Sequence, residues 1–162
     1  MQVLALVPGG IDDQLAVFPI LHQLKEKFDQ AEISVVASLN AKEVYRLSKD
    51  VKEVIPYDFQ ANNSPADWAN LLGIIRDREF ELVLTPTMTW SMGMLLWLSG
   101  VPTRVGYGGA ANNFFLTNTV MADGTPSISH AYGKLLQAID IEGTPRPWKL
   151  MCPRRILLPW KV

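Results

Sequence analysis

The stretch from Val3 to Leu21 constrains the fold of this chain more than any other part of the sequence. The apolar run Val3–Val7 is typical of a strand that is buried on both faces. The turn formers Pro8 to Gly10 end this run, two carboxylates (Asp12 and Asp13) follow, and a helical pattern then begins. This order places polar groups at the carboxyl end of a strand, which is where ligands bind in open α/β sheets.

Strand-like and helix-like segments alternate along the rest of the chain, which predicts one α/β domain over residues 1–142. The predicted strands are Val3–Val7, Ile33–Ala37, Glu53–Tyr57, Leu82–Leu84 and Thr103–Tyr107. The predicted helices are Gln14–Phe28, Ala41–Leu47, Ala66–Arg78, Ser91–Leu98 and Ser129–Ile139. Right-handed crossovers then give a doubly wound parallel sheet, so we expect a Rossmann-like, three-layer α/β/α fold.

Four features qualify this pattern. Pro19 lies inside the first predicted helix and predicts a kink or a later start. Residues 108–125 contain Gly-Gly, Asn-Asn and Asp-Gly pairs, which indicate loops. Residues 143–162 contain four prolines and no periodic pattern, so we interpret them as a Pro-rich tail or a truncated linker. Large apolar side chains recur at helical spacing within 90–97 and are typical of a core, with a lipid-facing stripe as the alternative: Trp90, Met92, Met94 and Trp97.

Composition and charge exclude several classes of protein. Hydrophobic residues make up 48% of the 162 residues and charged residues 19%, which is typical of a globular domain. A net charge of −1 gives no electrostatic case for nucleic acid. The single cysteine, Cys152, excludes a disulfide within the chain.

The sequence also predicts where the protein is found. Its start has no basic region of the kind that opens a signal peptide. The longest later apolar stretch, Met92–Leu98, is far shorter than the ~20 residues of a membrane span. We therefore expect a soluble, cytoplasmic protein, with peripheral contact at the inner face of the membrane as an open alternative.

Five segments match a known family in order and spacing. The first is the opening strand, glycine turn, carboxylate and downstream proline described above. The others are similar to the patterns "pxAeIdvl", "vdeVipfd", "lrrerfDlvi" and "lsGaprriGf", and they lie at Ala31–Val36, Val51–Asp58, Arg76–Val83 and Leu98–Tyr107. Together they cover most of residues 1–142 and resemble the N-terminal half of glycosyltransferase family 9, the heptosyltransferase-like enzymes of lipopolysaccharide assembly.

The resemblance implies a role for the opening loop. Asp13 falls on the family's catalytic aspartate, and Pro19 falls on its proline. Asp13 is then the base that takes a proton from the acceptor hydroxyl in an inverting transfer. Two departures are present: Asp12 stands where the family usually has glycine, and Thr85–Met88 replaces an Asp-Leu-Gln-Gly-like turn.

Each candidate residue also has a structural interpretation. An Asp in the first helical turn commonly caps the helix and stabilises its dipole, so this alternative is open for Asp13. We expect four further loop residues to contact substrate: Gly9, Gly10, Ile11 and Asp12. The two glycines let the backbone approach a substrate closely and also suit a tight turn. Arg104 is a candidate for binding an anionic acceptor, and a solvated or ion-paired arginine is the alternative.

Motifs for cofactors are not found in the sequence. No Walker P-loop or G-x-G-x-x-G pattern follows the first strand, and no Cys, His or carboxylate cluster has metal-ligand spacing. We therefore expect no cofactor and no metal. The resemblance implies a two-domain GT-B arrangement whose second domain holds the sugar nucleotide as co-substrate, and this chain ends where that domain should begin.

The leading functional hypothesis is therefore the acceptor-side domain of a family 9 glycosyltransferase. The whole enzyme would transfer a heptose-like sugar from a nucleotide diphosphate to a lipopolysaccharide-type or other glycolipid acceptor. We expect the isolated chain to be inactive, because positioning both substrates provides much of the rate. Two alternatives are a non-catalytic sugar- or protein-binding module and a different nucleotide-binding α/β domain. The expected partner, besides the acceptor, is a C-terminal donor domain or a second copy in a homodimer.

Overall fold

The apolar runs of the sequence form one six-stranded parallel sheet with helices on both faces. The computed structural model describes residues 1–59, 64–86, 89–109, 113–121 and 128–139. The strands are β1 Gln2–Val7, β2 Glu32–Ala37, β3 Val51–Pro56, β4 Leu82–Thr85, β5 Thr103–Tyr107 and β6 Asn118–Val120. The helices are α1 Ile11–Lys27, α2 Pro65–Asp77, α3 Trp90–Ser99 and α4 Ile128–Gln137, with a 3-10 helix at Lys42–Leu47. The predicted α/β fold is confirmed.

The order of the strands determines where a ligand site can form. The sheet runs β3-β2-β1-β4-β5-β6, and every neighbouring pair is parallel. The chain moves outward from β1 to β3 and then returns to place β4 on the other side of β1. This reversal creates a switch point between β1 and β4, and crevices at such points are the usual ligand sites of open α/β sheets.

The central strand β1 contributes to two separate cores. Val3, Ala5 and Val7 pack with α1 and α4 on one face of the sheet. Leu4 and Leu6 pack with α2 and α3 on the other face. Successive side chains of a strand point to opposite faces, so a strand covered on both sides needs apolar residues throughout. Burial of β1 on both faces therefore explains why the sequence is apolar without interruption from Val3 to Val7.

The start of the first helix differs from the prediction. Helix α1 begins at Ile11 rather than at Gln14, so a later start caused by Pro19 is wrong. Gly10 is the N-cap, and the Asp13 side chain accepts a hydrogen bond from its backbone N–H. Pro19 lies inside the helix, where it removes one backbone donor, and burial of the surrounding apolar face offsets that loss.

The loop predicted for residues 108–125 contains a strand and is wrong in that respect. Residues Asn118–Val120 form β6 and pair with β5, where Asn118 lies opposite Val105. The Thr117 N–H donates to the Arg104 carbonyl at 2.9 Å just before this strand. A strand this short at the edge of the sheet shows no alternation of apolar and polar residues, so the sequence pattern could not reveal it.

Two further expectations concern helices and the tail. Trp90 and Trp97 of α3 are exposed, whereas Met92 is buried, so the prediction that all four large side chains of 90–97 belong to a core is wrong for the tryptophans. No helix in the described ranges combines the length and the apolar composition that crossing a bilayer requires. The predicted tail, residues 143–162, lies outside the described residues, and the domain boundary at 142 stays a prediction.

Two helical glycines allow a test of the packing. A Cβ at Gly73 in α2 would have no atom within 4 Å, so we expect Gly73→Ala to raise the free energy of unfolding by about 0.5–1 kcal/mol through helix propensity. A Cβ at Gly93 in α3 would lie 2.9 Å from Cδ2 of Phe115. We expect Gly93→Ala to lower the same quantity by about 1–3 kcal/mol, because the ring must move. Urea unfolding measures both, and equal changes would contradict this packing.

Candidate functional site

The loop between β1 and α1 lies at the switch point and carries most of the predicted site residues. Gly9 has a φ of +114°, a conformation that residues with a Cβ rarely adopt. Gly10 follows in an extended conformation as the N-cap of α1. Ile11 and Asp12, in the first turn of the helix, are exposed to solvent. The structure therefore brings Gly9, Gly10, Ile11 and Asp12 together with Asp13 at the carboxyl edge of the sheet.

The Asp13 carboxylate is fixed against this loop. Its Oδ2 accepts a hydrogen bond from the Gly10 N–H at 3.0 Å. The same oxygen packs on Gly9, since a Cβ there would lie only 2.1 Å from it. Among the described residues no hydrogen bond to the other oxygen, Oδ1, is found. The capping interpretation of Asp13 is thus realised through one oxygen, and the side chain remains half-buried.

A buried glutamine supports the loop from below. Gln14 is fully buried, and its Nε2 donates to the Val7 carbonyl at 2.9 Å and to the Gly9 carbonyl at 3.4 Å. Its Oε1 accepts from the Tyr45 hydroxyl at 2.6 Å. The Ser38 hydroxyl also donates to the Gly9 carbonyl, at 3.0 Å. The loop is therefore tied to α1, to the segment after β2 and to the 3-10 helix.

Gln14 is not among the residues predicted from the sequence, although its position carries a signal. Its position at the start of an apolar helix face is normally occupied by an apolar residue, and a buried polar group there needs partners. One of its partners, the Tyr45 hydroxyl, comes from a residue 31 positions away, which a local pattern does not reveal.

Two buried tyrosine hydroxyls stabilise the same region. Burial raises the pKa of Tyr45 and of Tyr132, so both hydroxyls stay neutral and act as donors. The Tyr132 hydroxyl on α4 donates to the Leu6 carbonyl of β1. The Tyr45 ring also packs on Phe18 of α1, with ring centroids 5.3 Å apart. These contacts hold the end of β1 and the start of α1 in place.

Arg104 does not lie with the loop residues. It pairs with Val83, which pairs with Leu4, so it lies about 10 Å along the sheet from the end of β1. Its Nε donates to the Phe115 carbonyl at 2.6 Å, and another guanidinium N–H donates to the Val101 carbonyl. Partial burial lowers its pKa. These bonds fix the turn before β6, and the geometry provides no contact with a ligand at Asp13.

A cavity of about 260 Å³ opens at the same edge of the sheet. Its wall combines apolar and polar side chains, among them Leu39, Tyr57, Asp58, Asp67 and Asn70. Leu39 follows Ser38, the residue whose hydroxyl binds Gly9, so the cavity adjoins the loop. Two hydrogen bonds from Ser64 hold the pKa of Asp67 below its usual value, which keeps this carboxylate charged. The cavity could not be predicted from the sequence, because the residues of its wall come from segments that are far apart in the chain.

The described residues also bear on metal binding. No three His, Cys, Asp or Glu side chains among them lie close enough together to hold a metal ion. Asp12 and Asp13 are neighbours in the loop, and the structure brings no third ligand of this kind to them.

The fold is shared with solved glycosyltransferases. The structure of the glycosyl transferase family 9 protein from Veillonella parvula matches with a TM-score of 0.75 and 16% identity, over 87% of this chain and 41% of that one. E. coli ADP-heptose lipopolysaccharide heptosyltransferase II matches with a TM-score of 0.66 and 19% identity, over 93% of this chain and 45% of that one. E. coli heptosyltransferase WaaC, solved with ADP-2-deoxy-2-fluoro heptose, matches with a TM-score of 0.70 and 13% identity, over 93% of this chain and 51% of that one. The predicted resemblance is confirmed at the level of the fold.

Sequence comparison adds a relative of another kind. The chain is 24% identical over 164 residues to the photosynthetic NDH subunit of subcomplex B 1, chloroplastic, of Arabidopsis thaliana. That match covers 97% of this chain and 35% of the relative, so the chain spans about a third of the length of that protein. No protein-family model matches the chain.

The two loop glycines provide a matched pair of substitutions. We expect Gly9→Ala to lower the free energy of unfolding by about 1–3 kcal/mol, because of its positive φ and the contact with Asp13 Oδ2. A Cβ at Gly10 would have no atom within 4 Å, so we expect Gly10→Ala to lower the free energy of unfolding by only about 0.5 kcal/mol, because alanine is a poorer N-cap than glycine. Thermal or urea unfolding measures both variants. A Gly9→Ala protein as stable as the parent would refute the proposed loop geometry.

The hydrogen bond between Gln14 and Tyr45 can be measured by a double-mutant cycle. We expect Gln14→Leu to lower the free energy of unfolding by about 2–3 kcal/mol and Tyr45→Phe by about 1–2 kcal/mol, since each leaves a buried polar group without its partner. The double variant should cost less than the sum by about 1 kcal/mol. Gln137→Leu, at an exposed position of α4, is the control and should have little effect. Strict additivity would show that the two side chains do not interact.

Proposed function

We propose that this chain is the acceptor-side domain of a glycosyltransferase-type protein and that Asp13 is its catalytic base. The observation that carries this proposal is the position of Asp13 at the switch point of the sheet, where Gly10 binds its Oδ2 and no described residue binds its Oδ1. A base for transfer must be held rigidly within reach of the acceptor hydroxyl. The bonds of Gln14 and Ser38 to the loop support this rigidity.

The proposed step is an inverting transfer. The acceptor oxygen attacks the anomeric carbon of a heptose-like donor, Asp13 takes the hydroxyl proton, and the nucleoside diphosphate leaves with the electrons of the broken bond. Gly9 and Gly10 let the acceptor approach the backbone, while Ile11 and Asp12 contact its apolar and hydroxyl faces. The adjoining cavity offers Asp58 and Asn70 as partners for further hydroxyl groups of a lipopolysaccharide-type or other glycolipid acceptor.

The donor belongs to another domain in this proposal. The chain spans between 41% and 51% of the solved glycosyltransferases that it resembles. Transfer requires the donor and acceptor to be held together, because their alignment supplies much of the rate. We therefore expect the chain alone to bind acceptor and to transfer nothing, and we place its work in the cytoplasm, on a soluble or membrane-attached acceptor.

A second candidate is a non-catalytic binding module within a protein assembly. The similarity to a chloroplast NDH subunit over 97% of this chain favours it, because that relative is described as a subunit of a complex. The use of Asp13 as a helix cap is compatible with it. In this candidate the fold is retained as a scaffold, and the loop either binds a sugar without chemistry or contacts a protein.

Acceptor binding distinguishes the two candidates. We expect a lipopolysaccharide core acceptor to bind the chain in a calorimetric titration and Asp13→Asn to weaken binding about tenfold, the value of one charge-assisted hydrogen bond. Asn keeps the acceptor for the Gly10 N–H, so the helix cap survives. Asp77→Asn, at an exposed position at the end of α2, is the matched control and should leave the affinity unchanged.

The remaining outcomes also have clear meanings. ADP and ADP-heptose should not bind the chain alone, and tight nucleotide binding would overturn the proposed acceptor-side role. Absence of any acceptor binding, in a variant and parent that are both folded, would overturn the first candidate and leave the assembly module.

A further inference from the structure

Helix α3 presents an aromatic surface to solvent. Its sequence, Trp90–Ser99, contains no charged residue. One side of the helix is buried in the second core, whereas Trp90 is 58% exposed and Trp97 is 48% exposed. Leu98 is also exposed. A helix that is apolar on all sides is normally covered on all sides, so this outward side indicates a contact.

The turn before β6 extends this surface. Phe114 is 75% exposed, and its ring centroid lies 6.2 Å from that of Trp97. Phe114 also contacts Phe115, which in turn contacts Trp90 with centroids 6.1 Å apart. We call Trp90, Trp97, Leu98 and Phe114 the aromatic surface. Phe115, which lies behind this surface, packs on Gly93, and its carbonyl accepts a hydrogen bond from Arg104.

The chain beyond α4 starts next to this surface. The Ala138 carbonyl accepts a hydrogen bond from Asn118 Nδ2 at 3.3 Å. Phe114 precedes Asn118 by four residues, so its Cα lies within about 15 Å of that of Asn118. Residues 140–162 then follow, and 23 residues can span up to about 75 Å when extended. Reaching the aromatic surface requires only a small part of this length.

The composition of that segment fits an aromatic partner. It contains Pro145-Arg146-Pro147-Trp148, in which two prolines flank an arginine and precede a tryptophan. Proline-rich segments bind surfaces lined by aromatic rings, and arginine stacks on the faces of such rings. The absence of charged residues on α3 leaves ring and proline contacts as the basis of recognition.

We propose that residues 145–148 bind the aromatic surface of the same chain. The occupant is this proline-containing segment, which packs against the exposed rings of Trp97 and Phe114. The contact would remove exposed aromatic area from water, which is favourable at roughly 25 cal/mol per Å² of apolar area. This inference is independent of the sugar chemistry proposed for Asp13.

The chain offers a direct test through its one cysteine. Cys152 lies four residues after Trp148, so a nitroxide attached there marks the position of the segment without any substitution. In the nitrogen-15-labelled full chain we expect paramagnetic broadening of the Trp97 indole N–H and the Phe114 amide. The His22 amide on α1, on the other face of the sheet, should stay sharp. A sample with the reduced nitroxide provides the reference.

Substitutions show whether the aromatic surface is responsible. Pro145→Ser with Pro147→Ser changes no described residue, and we expect it to abolish the broadening. Trp97→Ser with Phe114→Ser should abolish it too, as measured at the backbone amides of positions 97 and 114, because this variant lacks the Trp97 indole. Leu47→Ser, at a position that is 68% exposed in the 3-10 helix, is the control and should leave the broadening unchanged.

Three outcomes would overturn the proposal. The first is no broadening at Trp97 and Phe114 in the full chain. The second is broadening that survives the proline substitutions. The third is broadening found only when nitroxide-labelled and nitrogen-15-labelled chains are mixed, which would mean that the segment binds a second copy.

Discussion

Burial of β1 on both faces is the constraint on which the rest of the structure depends. Its residues supply apolar side chains to α1 and α4 on one face and to α2 and α3 on the other. A strand in this position has to be central, and the connections around it have to cover both faces of the sheet. The end of β1 therefore lies at the switch point, where the strand order reverses, and the loop that follows β1 lies there too.

In the loop after β1, the side chain of Asp13 both stabilises the fold and is the candidate for the chemistry. Asp13 satisfies a backbone donor at the start of α1 and occupies the space that a side chain at Gly9 would need. A carboxylate that caps a helix is also held rigidly, so the structural role does not compete with a role toward a ligand. Gln14 and Tyr45 extend this rigidity, because a buried and fully bonded amide allows few alternative positions for the loop.

The carboxyl edge of the sheet and the outer side of α3 differ in their surface chemistry. The carboxyl edge carries carboxylates and glycine backbone beside a cavity, which suits hydroxyl-rich ligands. The outer side of α3 carries exposed aromatic rings and no charge, which suits apolar or proline-rich contacts.

Local patterns in the sequence determined the fold class, because the apolar run of β1 and the cap of α2 at Ser64 depend on neighbouring residues alone. They also located the loop that carries Asp13. The tertiary structure decided what Gln14 and Arg104 do: one binds the loop from inside the core, and the other binds the turn before β6. It also decided that β6 exists and that Trp97 faces solvent. These outcomes depend on residues that are distant in the sequence. A local pattern of apolar and polar residues does not show which distant group a side chain will contact.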